Sequence, residues 1–170
     1  MSQQEVQTFT FEDDGVIPNN KDLPLLIYQG AIDGKTDKCQ EIFHDNNWKN
    51  NWKGGVFGYH HFHSNSHEVL GVVSGSAVLT LGGKNGRELP IKEGDVLIIP
   101  AGVGHKNNEA SKDFQVVGGY PFGEDYDLKT GDGQEHEQAL ENIPHARLPN
   151  FDPVYGNRGA IHDHWNISAS

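Results

Sequence analysis

The sequence predicts an all-β protein, a sandwich or barrel of short antiparallel strands. Three observations carry that reading. Between Gly55 and Tyr120, runs rich in Val, Ile and Leu recur at the roughly eight-to-twelve-residue spacing of such folds. Turn signals separate them, and glycine supplies 21 of the 170 residues, against an ordinary share of roughly 7%. The long amphipathic helices that a parallel α/β sheet needs between its strands are missing.

Residues 1–20 are polar, with turns at Asp13-Asp14-Gly15 and Pro18-Asn19-Asn20. Leu25–Tyr28 is a strand candidate, expected at a sheet edge. Asp37 to Asn46 reads as a short helix, with Asp37 as cap and Cys39, Ile42 and Phe43 on one face. Trp48 and Trp52 either extend that helix or anchor a loop. The alternation in Val56–His63 predicts a strand, followed by Val69–Val73, Ala77–Leu81, Arg87–Ile91, Asp95–Ile99 and Phe114–Tyr120. Asn85-Gly86 is a strong hairpin signal. Gly123–Gly133 reads as a polar loop, Gln134–Asn142 as a helix, and the tail from Pro144 as irregular. The expectation is a single domain over 1–170: an N-terminal extension (1–54), a barrel core (55–120) and a C-terminal extension (121–170).

Thirteen Lys and Arg against 24 Asp and Glu give a net charge of −11. No basic footprint is available for nucleic acid or an anionic membrane surface. No apolar run approaches the roughly 20 residues of a spanning helix. The opening residues show no leader, and the single Cys39 fits a reducing cytoplasm. Several motifs fail on spacing. Gly30 stands one residue too close to Gly34-Lys35-Thr36 for a phosphate loop, and Gly71 occupies the second histidine position of a helical zinc-protease motif begun by His67-Glu68. Asp125 and Asp127 begin a calcium loop that Lys129 and Thr130 break. Asn166-Ile167-Ser168 is a glycosylation sequon only in a secreted chain.

Histidine is the other unusual count: ten in all, four of them at 60, 61, 63 and 67. Residues two apart on a strand point the same way, so His61 and His63 share a face with Phe57 and Tyr59, while His60 and Phe62 take the other. Glu68 follows after a polar turn, and His105 after Pro100-Ala101-Gly102. Three imidazoles and a carboxylate suit one divalent transition metal such as Fe, Mn, Ni or Zn. His67 disagrees in strand parity with Glu68 and is placed in the turn; His162 and His164 are read as surface.

Gly55-(5)-His61-x-His63-(4)-Glu68-(6)-Gly75 resembles the first motif of the cupin superfamily at every fixed position. Gly94-(5)-Pro100-x-Gly102-(2)-His105 resembles the second, except that its customary Asn is Glu109, with Asn108 one place early. The resemblance implies a double-stranded β-helix, or jelly roll. It carries the family's metal ligands onto His61, His63, Glu68 and His105. It further implies a metal-dependent oxygenase or oxidase acting on a small oxygenated molecule. Glu68, among the ligands, and Tyr59, on the strand face of His61 and His63, are the candidate catalytic groups. A non-catalytic small-molecule binder and a zinc-type isomerase or decarboxylase are the alternatives. Unpaired sheet edges and one apolar outer face predict a homodimer, with Trp48, Trp52 and Phe62 as contacts.

Overall fold

The computed structural model describes residues 5–167. The first four residues, and Ser168 of the sequon, lie outside them. Among the described residues, nine strands form two antiparallel sheets. In chain order they are β1 (Val6–Phe9), β2 (Leu25–Tyr28), β3 (Trp48–Gly54), β4 (Glu68–Ser74), β5 (Ser76–Leu81), β6 (Arg87–Lys92), β7 (Val96–Ile99), β8 (His105–Ala110) and β9 (Gln115–Pro121). The larger sheet runs β1-β2-β7-β4-β9-β3 and the smaller β6-β5-β8. Helices are short: α1 (Cys39–Asp45), α2 (Glu135–Asn142) and α3 (Ala160–His164). None is long and apolar enough to cross a membrane.

The protein is an all-β jelly roll. Its core lies between the sheets, where Leu25 and Ile27, Leu70 and Val72, and Leu97 and Ile99 meet Ala77, Leu79, Leu81 and Ile91. The alternate residues of the same central strands, Leu26, Tyr28, Val69, Val96 and Ile98, enter a second cluster on the outer face of the large sheet. That is why β2 and β7 read as unbroken apolar runs: both of their faces are covered. The cover comes from the chain's own flanks, Cys39 and Phe43 of α1, Ile161 of α3, and Trp165. Gly71 permits the fit, since a Cβ there would sit 2.5 Å from Cys39 Sγ and 2.8 Å from the Phe43 ring.

This arrangement corrects several expectations. The outer face assigned to a second copy is filled by α1 and α3. Trp48 and Phe62 are fully buried within one chain and offer no contact surface, while Trp52 is half-buried. Trp48 and Trp52 belong to strand β3, where the Asn50 left-handed conformation (φ 58°) and a register shift between Lys49 and Trp52 end the helix-like spacing. Helix α1 follows a single 3₁₀ turn at Thr36–Lys38 and has no side-chain cap from Asp37. The segment 56–63 is not a regular strand: it is held by isolated bridges, His61 to His105 and Phe62 to Lys129, and by backbone hydrogen bonds from Asn107 to the Phe57 carbonyl and from Gly102 to that of His63. Strands β1 and β8 and helix α3 appear where polar sequence hid them, and β1 rather than β2 takes the sheet edge, because β2 pairs on both sides, with β1 and β7. The departure at Asn108 also has a structural counterpart. Val78 pairs with Glu109 but Leu79 with Asn107, so Asn108 is the extra residue of a β-bulge, its amide donating to Thr80 Oγ1 at 2.7 Å.

Candidate metal centre

The site is assembled from four pieces of chain brought together by backbone pairing. His61 and His105 exchange both backbone hydrogen bonds, N to O at 3.3 and 2.9 Å, which sets their rings 4.1 Å apart. The Gly102 N–H donates to the His63 carbonyl at 2.8 Å, anchoring the segment after the bridge. Glu68 opens β4 opposite Ile99, between the apolar strands β7 and β9. The loop 123–133 closes the remaining side. Both oxygens of the Asp127 carboxylate accept from Ser64, through its backbone N–H and its hydroxyl, and Asn65 Oδ1 accepts from the Asp127 N–H.

The three histidines are held in one tautomer by the same device. The Nδ1–H of His61 donates to the Tyr59 carbonyl at 2.9 Å, that of His105 to the Val103 carbonyl at 3.1 Å, and that of His63 to the Asp127 carbonyl. Each Nε2 is therefore left as the ligating nitrogen. Glu68 Oε1 lies 3.3 Å from His63 Nε2 and 3.2 Å from His105 Nε2, with all three residues buried. It is a buried oxygen without an aligned hydrogen-bond donor. Among the described residues, His63, Glu68 and His105 form a buried group compact enough to hold a metal ion. Three lone-pair-bearing atoms meeting in one buried spot need a cation between them, so the donor set fits a divalent transition metal. His61 stands beside this trio and outside its tightest grouping, its ring centroid 6.2 Å from that of His63.

Burial first, then the neighbouring His105, pushes the His61 pKa down to about 3, which keeps its nitrogen neutral. Burial alone would lower the His63 pKa, but the adjacent Glu68 carboxylate overcomes it and raises it. Burial likewise pushes Glu68 upward, yet His63 and His105 hold its carboxyl well below the usual carboxylate range.

Sequence reasoning missed the supports of Glu68. The Tyr120 hydroxyl donates to Glu68 Oε2 at 2.7 Å and accepts from the Trp52 Nε1–H at 2.8 Å. Since an indole N–H can only donate, the direction of this chain is fixed from Trp52 through Tyr120 to the carboxylate. Gly118 makes room for it: a Cβ there would lie 2.3 Å from the Trp52 ring. Tyr126 stacks on Tyr120 with centroids 4.2 Å apart. The signal for Tyr120 was a hydroxyl at the end of an apolar strand, which needs a buried partner.

A cavity of about 420 Å³ opens onto the trio. Phe57 lines it as expected, but Tyr59 does not: the chain bends at Gly58 and breaks the alternation. Tyr59 is 44% exposed, its ring stacked on Phe57 at 5.1 Å and edge-on to His61 at 5.6 Å, and the phenol at the carboxylate is that of Tyr120. His67 Nδ1 accepts from the Ala101 N–H at 2.8 Å, its ring packs on Trp165, and it borders a different cavity beside Ile143 and Ala146. Phe62 turns away from the metal trio into a cluster with Ile17 and Ala139. His162 is half-buried, its Nδ1 accepting from the Gly159 N–H.

Residues 52–120 match the "Cupin domain" family model. The chain is 47% identical over 163 residues to the uncharacterized protein YjlB of Bacillus subtilis (strain 168), covering 96% of this chain and 98% of that protein. Among solved structures it is similar to acireductone dioxygenase from Bacillus anthracis, recorded with a cadmium ion in its active centre. That likeness has 18% identity and a TM-score of 0.37, and covers 69% of this chain and 78% of that one. It is also similar to procruciferin, an 11S globulin of Brassica napus, at 16% identity and a TM-score of 0.39, covering 74% of this chain and 26% of that one. With both motifs folded onto a jelly roll around a buried histidine and glutamate cluster, the chain belongs to the cupin superfamily.

Proposed function

We propose that this cupin is a metal-dependent oxygenase-type enzyme that acts on a small oxygenated molecule, with the ion held by His61, His63, Glu68 and His105. The observation that carries the reading is the common tautomer of the three histidines. Each spends Nδ1 on a backbone carbonyl, so that Nε2 is kept for the ion, beside a carboxylate oxygen with no aligned donor of its own. An ion held by these four side chains would supply Lewis-acid and redox capacity toward a substrate's oxygen atoms.

The chain's own residues do the rest. Tyr120 fixes Glu68 through Oε2 and so directs Oε1 toward the ion's place. Asp127 orients His63 through its backbone carbonyl. The apolar wall of Trp52, Val56, Leu70 and Leu128 keeps bulk water from the reacting centre. An oxygenase is favoured over an isomerase because the lining carboxylate and imidazoles all belong to the cluster or stand against it, leaving no separate protein base to carry a substrate proton.

The test is metal analysis of untagged protein, followed by oxygen-electrode assays of the Fe, Mn, Ni and Zn forms with enediols, β-diketones and oxalate-like acids. Oxygen uptake that disappears in Glu68→Gln supports the reading. A protein that takes up no metal overturns it.

A further inference from the structure

The wall chemistry of the cavity narrows what can occupy it. Several observations converge. No Lys or Arg is among the residues that line it, and the trio already places one carboxylate there. A divalent ion beside that carboxylate would leave room for about one further negative charge before like-charge repulsion dominates. The buried side-chain donors of the wall are already engaged, Trp52 Nε1 on Tyr120, Tyr120 on Glu68, and each histidine Nδ1 on a backbone carbonyl, which leaves the half-exposed Tyr126 hydroxyl at the rim as the remaining side-chain donor. A polyol would have to bury hydroxyls without partners.

Apolar surface also converges here. Phe57, Tyr126 and Leu128, exposed by 50, 41 and 43%, all line this one cavity. Single exposed apolar side chains are ordinary, but several gathered at one opening mark a binding surface. The Tyr120 and Tyr126 rings, stacked at 18°, and the Trp52 indole present flat π surfaces against which another ring packs. The volume of about 420 Å³ lies toward the lower end of the roughly 300–1,000 Å³ usual for small-molecule sites.

We propose that the substrate is a small planar molecule with an aromatic body, neutral or singly negative, whose oxygen-bearing edge faces His63, Glu68 and His105. Sugar phosphates, polyols and dicarboxylates do not fit this wall. The orientation of the oxygens rests on the metal reading above; the aromatic, weakly charged body rests on the wall alone.

The experiment keeps the two apart. The probe 2-naphthol, flat and uncharged and no chelator, is titrated into metal-free protein while tryptophan fluorescence is followed. The cavity's Trp52 should be quenched, and Trp52→Phe should abolish the quench, since Trp48 and Trp165 are buried in the outer cluster. Tropolone, an aromatic monoanion with two adjacent oxygens, is then compared by calorimetry with oxalate and glucose 6-phosphate on zinc-loaded protein. It should bind at least about tenfold more tightly than either. Leu128→Lys puts a cation on the exposed rim without touching the core and should reverse the order of tropolone and oxalate. Zinc binding with no naphthol quench, or with oxalate or the sugar phosphate bound as tightly as tropolone, overturns the substrate class and leaves the metal reading standing. Naphthol binding without zinc binding overturns the metal reading and supports the aromatic pocket.

Discussion

Replacing Tyr120 with Phe removes one oxygen and keeps the ring that stacks on Tyr126. The lost atom is the link between Trp52 Nε1, 2.8 Å away, and Glu68 Oε2, 2.7 Å away. A hydrogen bond to a charged acceptor is worth roughly 1.5–3 kcal/mol. The effect on a ligating carboxylate is reached independently from outer-shell substitutions at metal sites, which weaken affinity by about 10–100-fold. That range converts to roughly 1.4–2.8 kcal/mol. The two routes agree, so Tyr120→Phe should weaken metal binding by about one to two orders of magnitude.

Trp52 borders the cavity, so in the variant its indole can turn to water, and the structural loss in metal-free protein should stay near 1 kcal/mol. Competition against a chromophoric chelator at neutral pH measures the affinity, and chemical denaturation of metal-free protein measures the fold. Trp52→Phe is the companion: it leaves the Tyr120–Glu68 bond in place, so its metal affinity should fall within about threefold of wild type, well short of the outer-shell range. If Tyr120→Phe holds metal as tightly as wild type while Glu68→Gln does not, Tyr120 does not position the carboxylate.

Glu68→Gln should retain weakened metal through the histidines yet lose oxygen consumption by more than about a hundredfold, as the ion loses its anionic ligand; oxygen-electrode rates at matched metal content check this. Metal binding should release a proton. The His63 pKa is raised above its unfolded value by Glu68, so its pairing stabilises the metal-free fold below about pH 6.5 and is lost as pH climbs through the raised value. Metal affinity should therefore weaken by about tenfold per pH unit below that value, measured by calorimetry in buffers of different ionisation enthalpy. Glu68 has the opposite sign: its carboxyl is held low, so its contribution is present above about pH 4.5 and fails only as pH falls through the depressed value, which an acid-unfolding curve of metal-free protein should show. Away from the site, the Tyr28 hydroxyl donates to buried Asp152 and accepts from the Ala160 N–H, both at 2.6 Å. Tyr28→Phe should destabilise the chain by about 1.5–3 kcal/mol in denaturant, with the metal affinity unchanged.

The site was legible where the chemistry is local and hidden where it depends on the third dimension. His63, Glu68 and His105 could be picked out because ligand types at fixed spacings, framed by Gly102 and Gly75, are a one-dimensional pattern. Tyr59 was chosen on a period-two rule that holds only while the chain stays extended; the bend at Gly58 ended that period and turned the ring outward. Its replacement, Tyr120, is 52 residues from Glu68, and no local rule connects them. They meet because β9 pairs with β4, a register fixed by the Val69–Gly119 and Leu70–Gly118 partnerships. Strand β2 was readable for the opposite reason, since four apolar residues in a row remain apolar whichever face is buried. Strand β8, His-Lys-Asn-Asn-Glu-Ala, was not, because its pairing with β5 comes from backbone hydrogen bonds around a bulge and its side chains are largely exposed. The same division explains the outer face of the large sheet. An apolar sheet face must be covered, and sequence alone made a second copy of the chain as reasonable a cover as any. Only the packing of Phe43, Ile161 and Trp165 on it shows that segments read as extensions supply the cover. The flanks that look like decoration in one dimension leave the cavity mouth, with Phe57, Tyr126 and Leu128, as the apolar surface gathered at the metal site. That is where a ligand's apolar body has something to gain by leaving water.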